Sequence, residues 1–221
     1  MPGLPREGDG DVDIWHDWVD DAREPGDAAI LDDGERARAA RFRFDRDRRR
    51  FIARRAFLRR VLARYAGVDP ARLRFRTSAN GKPELAQPDL GLGFSASHAD
   101  GLAIVAVSSG GVVGVDVERV RAIPDALELA RRLWTDAEYR NLASIAAPLR
   151  SAAFLRLWTR KEAHVKRLGT GLSTPLDSFD VLDAGERSLR ALELPAGYVG
   201  SVAVEGPTVV VRNAASEAIA S

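Results

Sequence analysis

Apolar positions along the chain follow two periods. Over residues 45–65, Phe51, Leu58, Leu62 and Tyr65 recur at helical spacing while arginines cover the other faces. That pattern predicts a long helix, with Gly67 as its stop. A second long helix is predicted over 149–168, ending at Gly169. Shorter helices are expected over 32–43 and 124–134, and a further one opens at Thr135, where Thr135-x-x-Glu138 has capping-box spacing. Strands are expected at 13–19, 73–75, 179–182, 201–205 and 208–212, the last two around Gly206-Pro207. The apolar runs 102–107 and 112–117 flank Ser108-Ser109-Gly110-Gly111 and read as a hairpin. Asn80-Gly81-Lys82-Pro83 is a turn signal. Residues 1–12, rich in Gly, Pro and Asp, are expected to form a disordered tail.

Helices and strands mix without regular βαβ alternation, which points to α+β rather than a doubly wound sheet. The 221 residues amount to roughly 1.5 ordinary domains, so one large domain or two small lobes. Each half holds a long helix and a few strands, and the division falls between 13–111 and 112–221. The absence of cysteine excludes disulfides, thiolate metal sites and a cysteine nucleophile. Lys+Arg 33 against Asp+Glu 32 leaves a net charge of +1, so no global field draws nucleic acid. No apolar run reaches the roughly 20 residues of a membrane span. The acidic, polar N-terminus is unlike a signal peptide. The expectation is a soluble cytoplasmic protein with no membrane and no nucleic-acid partner.

Lysine occurs only at Lys82, Lys161 and Lys166, so arginine supplies the other 30 of the 33 basic residues. Lysine is a compact point charge and arginine a planar fork, so the positions that keep lysine are candidates for special roles. The three histidines, His16, His98 and His164, are scarce in the same way.

The chemistry concentrates in two segments. In Gly114-Val115-Asp116-Val117-Glu118, strand alternation sends Val115 and Val117 one way and Asp116 and Glu118 the other. The two carboxylates are then about 6.6 Å apart along the strand. At an effective dielectric near 20 they repel by roughly 2.5 kcal/mol. A hard cation between them reverses that cost, and carboxylates together with substrate phosphates suit Mg²⁺. A strand with a polar outer face is the bland alternative. In Trp158-Thr159-Arg160-Lys161-Glu162-Ala163-His164-Val165-Lys166, Glu162 and Lys166 are four apart and share a helix face. An ordinary salt bridge between them is worth a few tenths of a kcal/mol. It leaves unexplained why two of only three lysines fall here.

These two segments resemble the signatures of the 4′-phosphopantetheinyl transferases, of the larger, surfactin-synthetase-activating type. Gly81-Lys82-Pro83, Phe94-Ser95-Ala96-Ser97-His98 and Gly171-Leu172-Ser173-Thr174-Pro175-Leu176-Asp177 resemble companion motifs, in order, over about residues 30 to 205. The resemblance implies two similar α+β lobes in one chain, a pseudo-dimer, with coenzyme A in the cleft between them. It implies Mg²⁺-dependent transfer of phosphopantetheine from coenzyme A to a serine of an apo acyl or peptidyl carrier protein, releasing 3′,5′-ADP, by a monomeric enzyme. Carried over by position, Asp116, Glu118 and Glu162 hold the metal. Glu162 also takes the serine proton, directly or through water, and Lys166 stabilises charge on the diphosphate. Lys161 neutralises the site beside phosphate. Ser97 and His98 contact phosphate, and Lys82 lies near the nucleotide end. Arg50, with Arg36 or Arg38, faces the adenine side and the 3′-phosphate. The sequence departs from the family pattern at Ala99, where serine is usual.

Two competing functions are kept. One is a nucleic-acid-binding module using the arginine-rich helix, whose apolar stripe argues instead for a packed face. The other is a coenzyme A- or carrier-binding homologue without turnover. Glu138 and Trp158 read as structural, as helix cap and helix core.

Overall fold

The computed structural model describes residues 12–19, 25–78, 81–88, 91–109, 111–182, 188–204 and 211–214. The expected tail lies outside the described residues except for Val12, which opens the first strand. In chain order the elements are β1 (Val12–Trp18), α1 (Pro25–Ala29), α2 (Asp33–Ala40), α3 (Asp45–Ala66), β2 (Arg74–Thr77), β3 (Pro83–Gln87), β4 (Gly93–Ala99), β5 (Leu102–Ser108) and β6 (Gly114–Arg119). They continue with α4 (Ala126–Leu133), α5 (Asp136–Ser144), α6 (Ala147–Leu168), β7 (Leu189–Ala191), β8 (Tyr198–Ala203) and β9 (Val211–Ala214). The mixture is α+β, as the alternation of patterns predicts. None of the described helices is long and apolar enough to cross a membrane.

A four-stranded sheet runs in the order β4-β5-β1-β9, and a three-stranded sheet runs β6-β8-β7. Strands β2 and β3 pair separately. Every residue of β5 is buried, because both of its faces are covered. Ala103, Val105 and Val107 join Phe57, Leu58, Val61 and Leu62 of α3 in one core. Leu102, Ile104 and Ala106 join Val115, Val117 and Val202 of the second sheet in another. A third core lies between the second sheet and α4–α6, around Leu142, Leu155, Leu157 and Ala163. Each of the two 22-residue helices, α3 and α6, therefore covers one sheet, and the sheets face each other. Both helices end on a glycine in the left-handed region, Gly67 at φ 62° and Gly169 at φ 68°, where a side chain would be strained.

Three sequence expectations are corrected. The runs 102–107 and 112–117 do not form a hairpin. Strand β5 has β1 and β4 on its two edges, and β6 pairs with β8 in the other sheet. The link between them crosses from one layer to the next. Gly93 is what lets it pass, since a Cβ there would lie 1.9 Å from the Gly111 carbonyl oxygen. Residues 179–182 are not a strand; their backbone is held by side chains from α5 and α6. The helix expected to reach residue 43 ends at Ala40. The expected strands at 201–205 and 208–212 lie partly outside the described residues, and β9 returns to the first sheet, parallel to β1.

The arginine-rich helix is tied inward. Arg59 is completely buried and binds Asp32 at 2.6 Å and Glu35 at 2.7 Å, together with the carbonyls of Pro70 and Leu73. Asp32 and Glu35 also form the capping box that opens α2. Arg55 pairs with Glu35, Arg60 with Asp27 and Arg48 with Asp45. Much of the positive charge of α3 is therefore spent on acids of α1, α2 and its own first turn.

Candidate active site

Strand β6 and helix α6 meet at a glycine. A Cβ on Gly114 would lie 2.0 Å from the Ala163 carbonyl oxygen and 2.4 Å from the Arg167 nitrogen. The helix backbone thus rests directly on the strand, on the face shared by Gly114, Asp116 and Glu118. This close approach brings Glu162 and Lys166 to the acidic pair. Lys166 Nζ donates to Asp116 Oδ1 at 2.7 Å and to Ser97 Oγ at 3.1 Å, and Ser97 Oγ donates to the same carboxylate oxygen at 2.7 Å. Strand β4 supplies Ser97 because its neighbour Ser95 accepts the Val115 N–H at 3.1 Å and locks β4 beside β6. Glu118 is half-buried and pairs with Arg121 at 2.7 Å.

Glu162 completes the cluster electrostatically. Burial pushes its carboxyl above the usual range, Asp116 and Glu118 push it further, and Lys166 opposes them. Three carboxylates therefore share one region. Among the described residues, no three acidic or histidine side chains are close enough to hold a metal as they lie. Asp116 is turned to Lys166, and Glu118 to Arg121.

Two cavities meet at β4. One of 240 Å³ is lined by Gly81, Lys82, Pro83, Phe94, Lys166 and Gly169, among others. The other, of 200 Å³, has Arg38, Phe51, Arg54, Ser97 and His98 in its wall. His98 is pushed down to about 4, by crowding of the ring and by the charges of Arg54, Lys166 and Arg50. The ring stands among protein atoms although the residue as a whole is exposed, and burial acts ahead of the three cations. Arg54 is itself lowered, by burial first and then by Arg50 and Arg38. Cations gathered this closely suit an anion.

Asp116, Ser97 and Lys166 are in direct contact; Asp116 and Glu118 stand within electrostatic reach of Glu162; His98 and Arg38 line the adjoining cavity. Arg50 acts on His98 from a separate 650 Å³ trough with Trp18, Arg46, Arg119 and Tyr198. Arg36 is not brought to the cluster: it is exposed and pairs with Asp33 at 2.6 Å. Lys82 lines the first cavity, but its Nζ donates to the carbonyls of Val113 and Lys166. Lys161 is not at the site. It is completely buried, and its ammonium meets Glu138 at 2.7 Å. No motif in the sequence announces Arg54, although its i,i+4 spacing from Arg50 puts the two on one face of α3. The need for Gly114 is visible only once α6 is on top of it.

A family profile described as the 4′-phosphopantetheinyl transferase superfamily matches residues 112–205. A second, described as 4′-phosphopantetheinyl transferase, N-terminal, matches residues 18–110. The chain is 37% identical over 190 residues to the 4′-phosphopantetheinyl transferase HetI of Nostoc sp., covering 81% of this chain and 80% of the relative. It is 34% identical over 167 residues to a 4′-phosphopantetheinyl transferase of Bacillus subtilis, covering 74% of this chain and 71% of the relative. To the transferase Sfp of Bacillus subtilis it is 34% identical over 148 residues, 66% of this chain and 64% of that one. With two adjoining profiles spanning most of its length and a relative matched over four-fifths of both chains, this chain belongs to the 4′-phosphopantetheinyl transferase superfamily.

Proposed function

We propose that the chain transfers the 4′-phosphopantetheine arm of coenzyme A to a serine hydroxyl of an apo acyl or peptidyl carrier protein, using Mg²⁺ and releasing 3′,5′-ADP. The two sheet-and-helix halves are the lobes of a pseudo-dimer within one monomeric chain, and coenzyme A lies where they meet. The observation that carries this reading is the contact of Lys166, Asp116 and Ser97, drawn from α6, β6 and β4, beside Glu162.

The donor set fits a hard divalent ion. Asp116, Glu118 and Glu162 repel one another in a partly buried place, and an oxygen-seeking cation relieves that repulsion. When bound, Mg²⁺ supplies charge neutralisation on the diphosphate and so makes the nucleotide a better leaving group. The remaining work falls to the chain. Lys166 is held at the site by Asp116 and Ser97 and offers its ammonium to diphosphate oxygens. His98, neutral near pH 7, and Arg38 and Arg54 receive phosphate in the adjoining cavity. Glu162 takes the proton of the carrier serine as its oxygen forms a bond to the β-phosphorus of coenzyme A. The bond from that phosphorus to the bridging oxygen breaks, and 3′,5′-ADP leaves with the electron pair. A raised carboxyl pKa suits a base that must bind a proton in the transition state.

Intact mass of apo acyl and peptidyl carriers incubated with the protein, coenzyme A and Mg²⁺ tests the reading. The expected result is one added phosphopantetheine on at least one carrier. No addition to any carrier contradicts it.

A further inference from the structure

Lys161 and Glu138 hold charge that the proposed transfer does not use. Both are completely buried, and neither lines a described cavity. Lys161 Nζ donates to Glu138 at 2.7 Å, to the Leu176 carbonyl at 2.6 Å and to the Phe179 carbonyl at 2.8 Å. An ammonium has three donors, and all three are used. Glu138 accepts the amides of Thr135 at 3.1 Å and Val181 at 2.9 Å. Two further contacts reach the same segment. Arg160 donates twice to the Val181 carbonyl, at 2.7 and 3.1 Å, and Thr135 Oγ1 donates to Asp180 at 2.7 Å. One ion pair thus clamps residues 176–181 across α5 and α6.

A buried ion pair is a poor source of stability, because desolvation offsets the attraction, and apolar residues of similar volume often serve as well. What this pair supplies is a fixed geometry. Lys161 immediately precedes Glu162, and successive helix residues diverge by about 100°. The heading of Glu162 therefore follows the rotation of α6. That helix is held from three sides: by the Gly114 contact with its backbone, by Thr159 Oγ1 against Ser201 Oγ at 3.0 Å, and by Lys161.

We propose that Lys161 and Glu138 are positioning residues: by clamping residues 176–181 against α5 and α6 they fix the rotation of α6 and so aim Glu162 and Lys166 at Asp116. The inference rests on the reading of Glu162 and Lys166 as the reacting groups.

The test compares the full chain with the double variant Lys161→Met/Glu138→Leu, which leaves no buried charge unpaired. Thermal melting, transfer kinetics with coenzyme A varied, and amide hydrogen exchange over 176–182 are measured on both. The double variant is expected to stay folded at the assay temperature while exchange over 176–182 speeds at least about tenfold. Its kcat falls about 10²-fold, the cost of misplacing a reacting group by about 1 Å. KM for coenzyme A stays within about threefold, since neither residue touches the cavities. A folded double variant with wild-type kcat overturns the proposal, as does a loss confined to KM. Should that variant not fold, Arg160→Met loosens the same segment by removing both donors to the Val181 carbonyl. A lower kcat at constant KM supports the clamp, and an unchanged kcat with faster exchange overturns it. Exchange needs no substrate, so it still decides whether the pair holds 176–181 if the wild type transfers nothing and the proposed function itself fails.

Discussion

Gly114→Ala tests whether the contact of α6 with β6 assembles the site. The added Cβ would lie 2.0 Å from the Ala163 carbonyl oxygen, 2.4 Å from the Arg167 nitrogen and 3.0 Å from the Arg167 Cα. All three are backbone atoms of one helix turn, so no side chain can rotate away. An ordinary contact begins near 3.4 Å, so strand and helix must part by about 1.4 Å. Overpacking of this kind costs about 1–3 kcal/mol, which a domain of ordinary stability survives. The same displacement acts on Glu162 and Lys166, which ride on that turn. A misplacement near 1 Å costs about 10²-fold in rate. The expected outcome is a folded protein with a lowered melting temperature and transfer reduced about 10²-fold, read as intact mass of the carrier over time. A folded Gly114→Ala enzyme within about threefold of the wild-type rate would refute the claim that this contact sets the site.

Glu162→Gln is expected to reduce transfer at least about 10²-fold while keeping or raising the melting temperature at neutral pH. The sign follows from the raised carboxyl: the folded state holds that proton more tightly than the unfolded one, so ionising Glu162 lowers stability as pH rises through the raised value. By the same raised pKa, the acid limb of the wild-type kcat/KM profile lies above the ordinary glutamate range, and saturating Mg²⁺ moves it down; a limb indifferent to Mg²⁺ speaks against the assignment. His98 is expected to titrate near 4 by NMR in the free protein, and to move up when the anionic coenzyme A binds. Because its pKa is depressed, stability falls as pH drops from 6.5 towards 4; titration of His98 at 6.5 in both states contradicts the cation cluster. Arg59→Met strands Asp32, Glu35 and two carbonyls around a completely buried position, and should cost about 3–5 kcal/mol in urea unfolding. A cost under about 1 kcal/mol would mean that the network is not a structural tie.

Local patterns were legible in the sequence wherever local physics decides them. The alternation of Val115 and Val117 against Asp116 and Glu118 is read correctly because a strand has a period of two, and the valines do pack in the inter-sheet core. Gly67 and Gly169 mark helix ends because they accept positive φ. The Thr135–Glu138 capping box is present as predicted. Strand pairing was not legible. The run 102–107 is buried on both faces, so its pattern says nothing of its neighbours, and the glycine-rich link after it changes sheets instead of reversing. The scarcity of lysine was a sound signal with a mixed meaning. Each lysine stands where a compact donor meets converging acceptors, but only Lys166 meets them at the acidic cluster. Lys82 ties the paired strands β2 and β3 to the end of α6, and Lys161 clamps residues 176–181. The partner of Lys161 is Glu138 on another helix, and no local spacing announces a contact so distant along the chain.

In the proposed transfer, Asp116, Glu118 and Glu162 take one divalent ion together, with the diphosphate of coenzyme A held against Lys166. Crystals grown with coenzyme A and Mn²⁺ in place of Mg²⁺ test this through the anomalous scattering of the ion. A single strong peak is expected at coordination distance from all three carboxylates and from diphosphate oxygens, with Arg121 released from Glu118. A diphosphate bound with no ion among these carboxylates, or an ion held elsewhere, would contradict it.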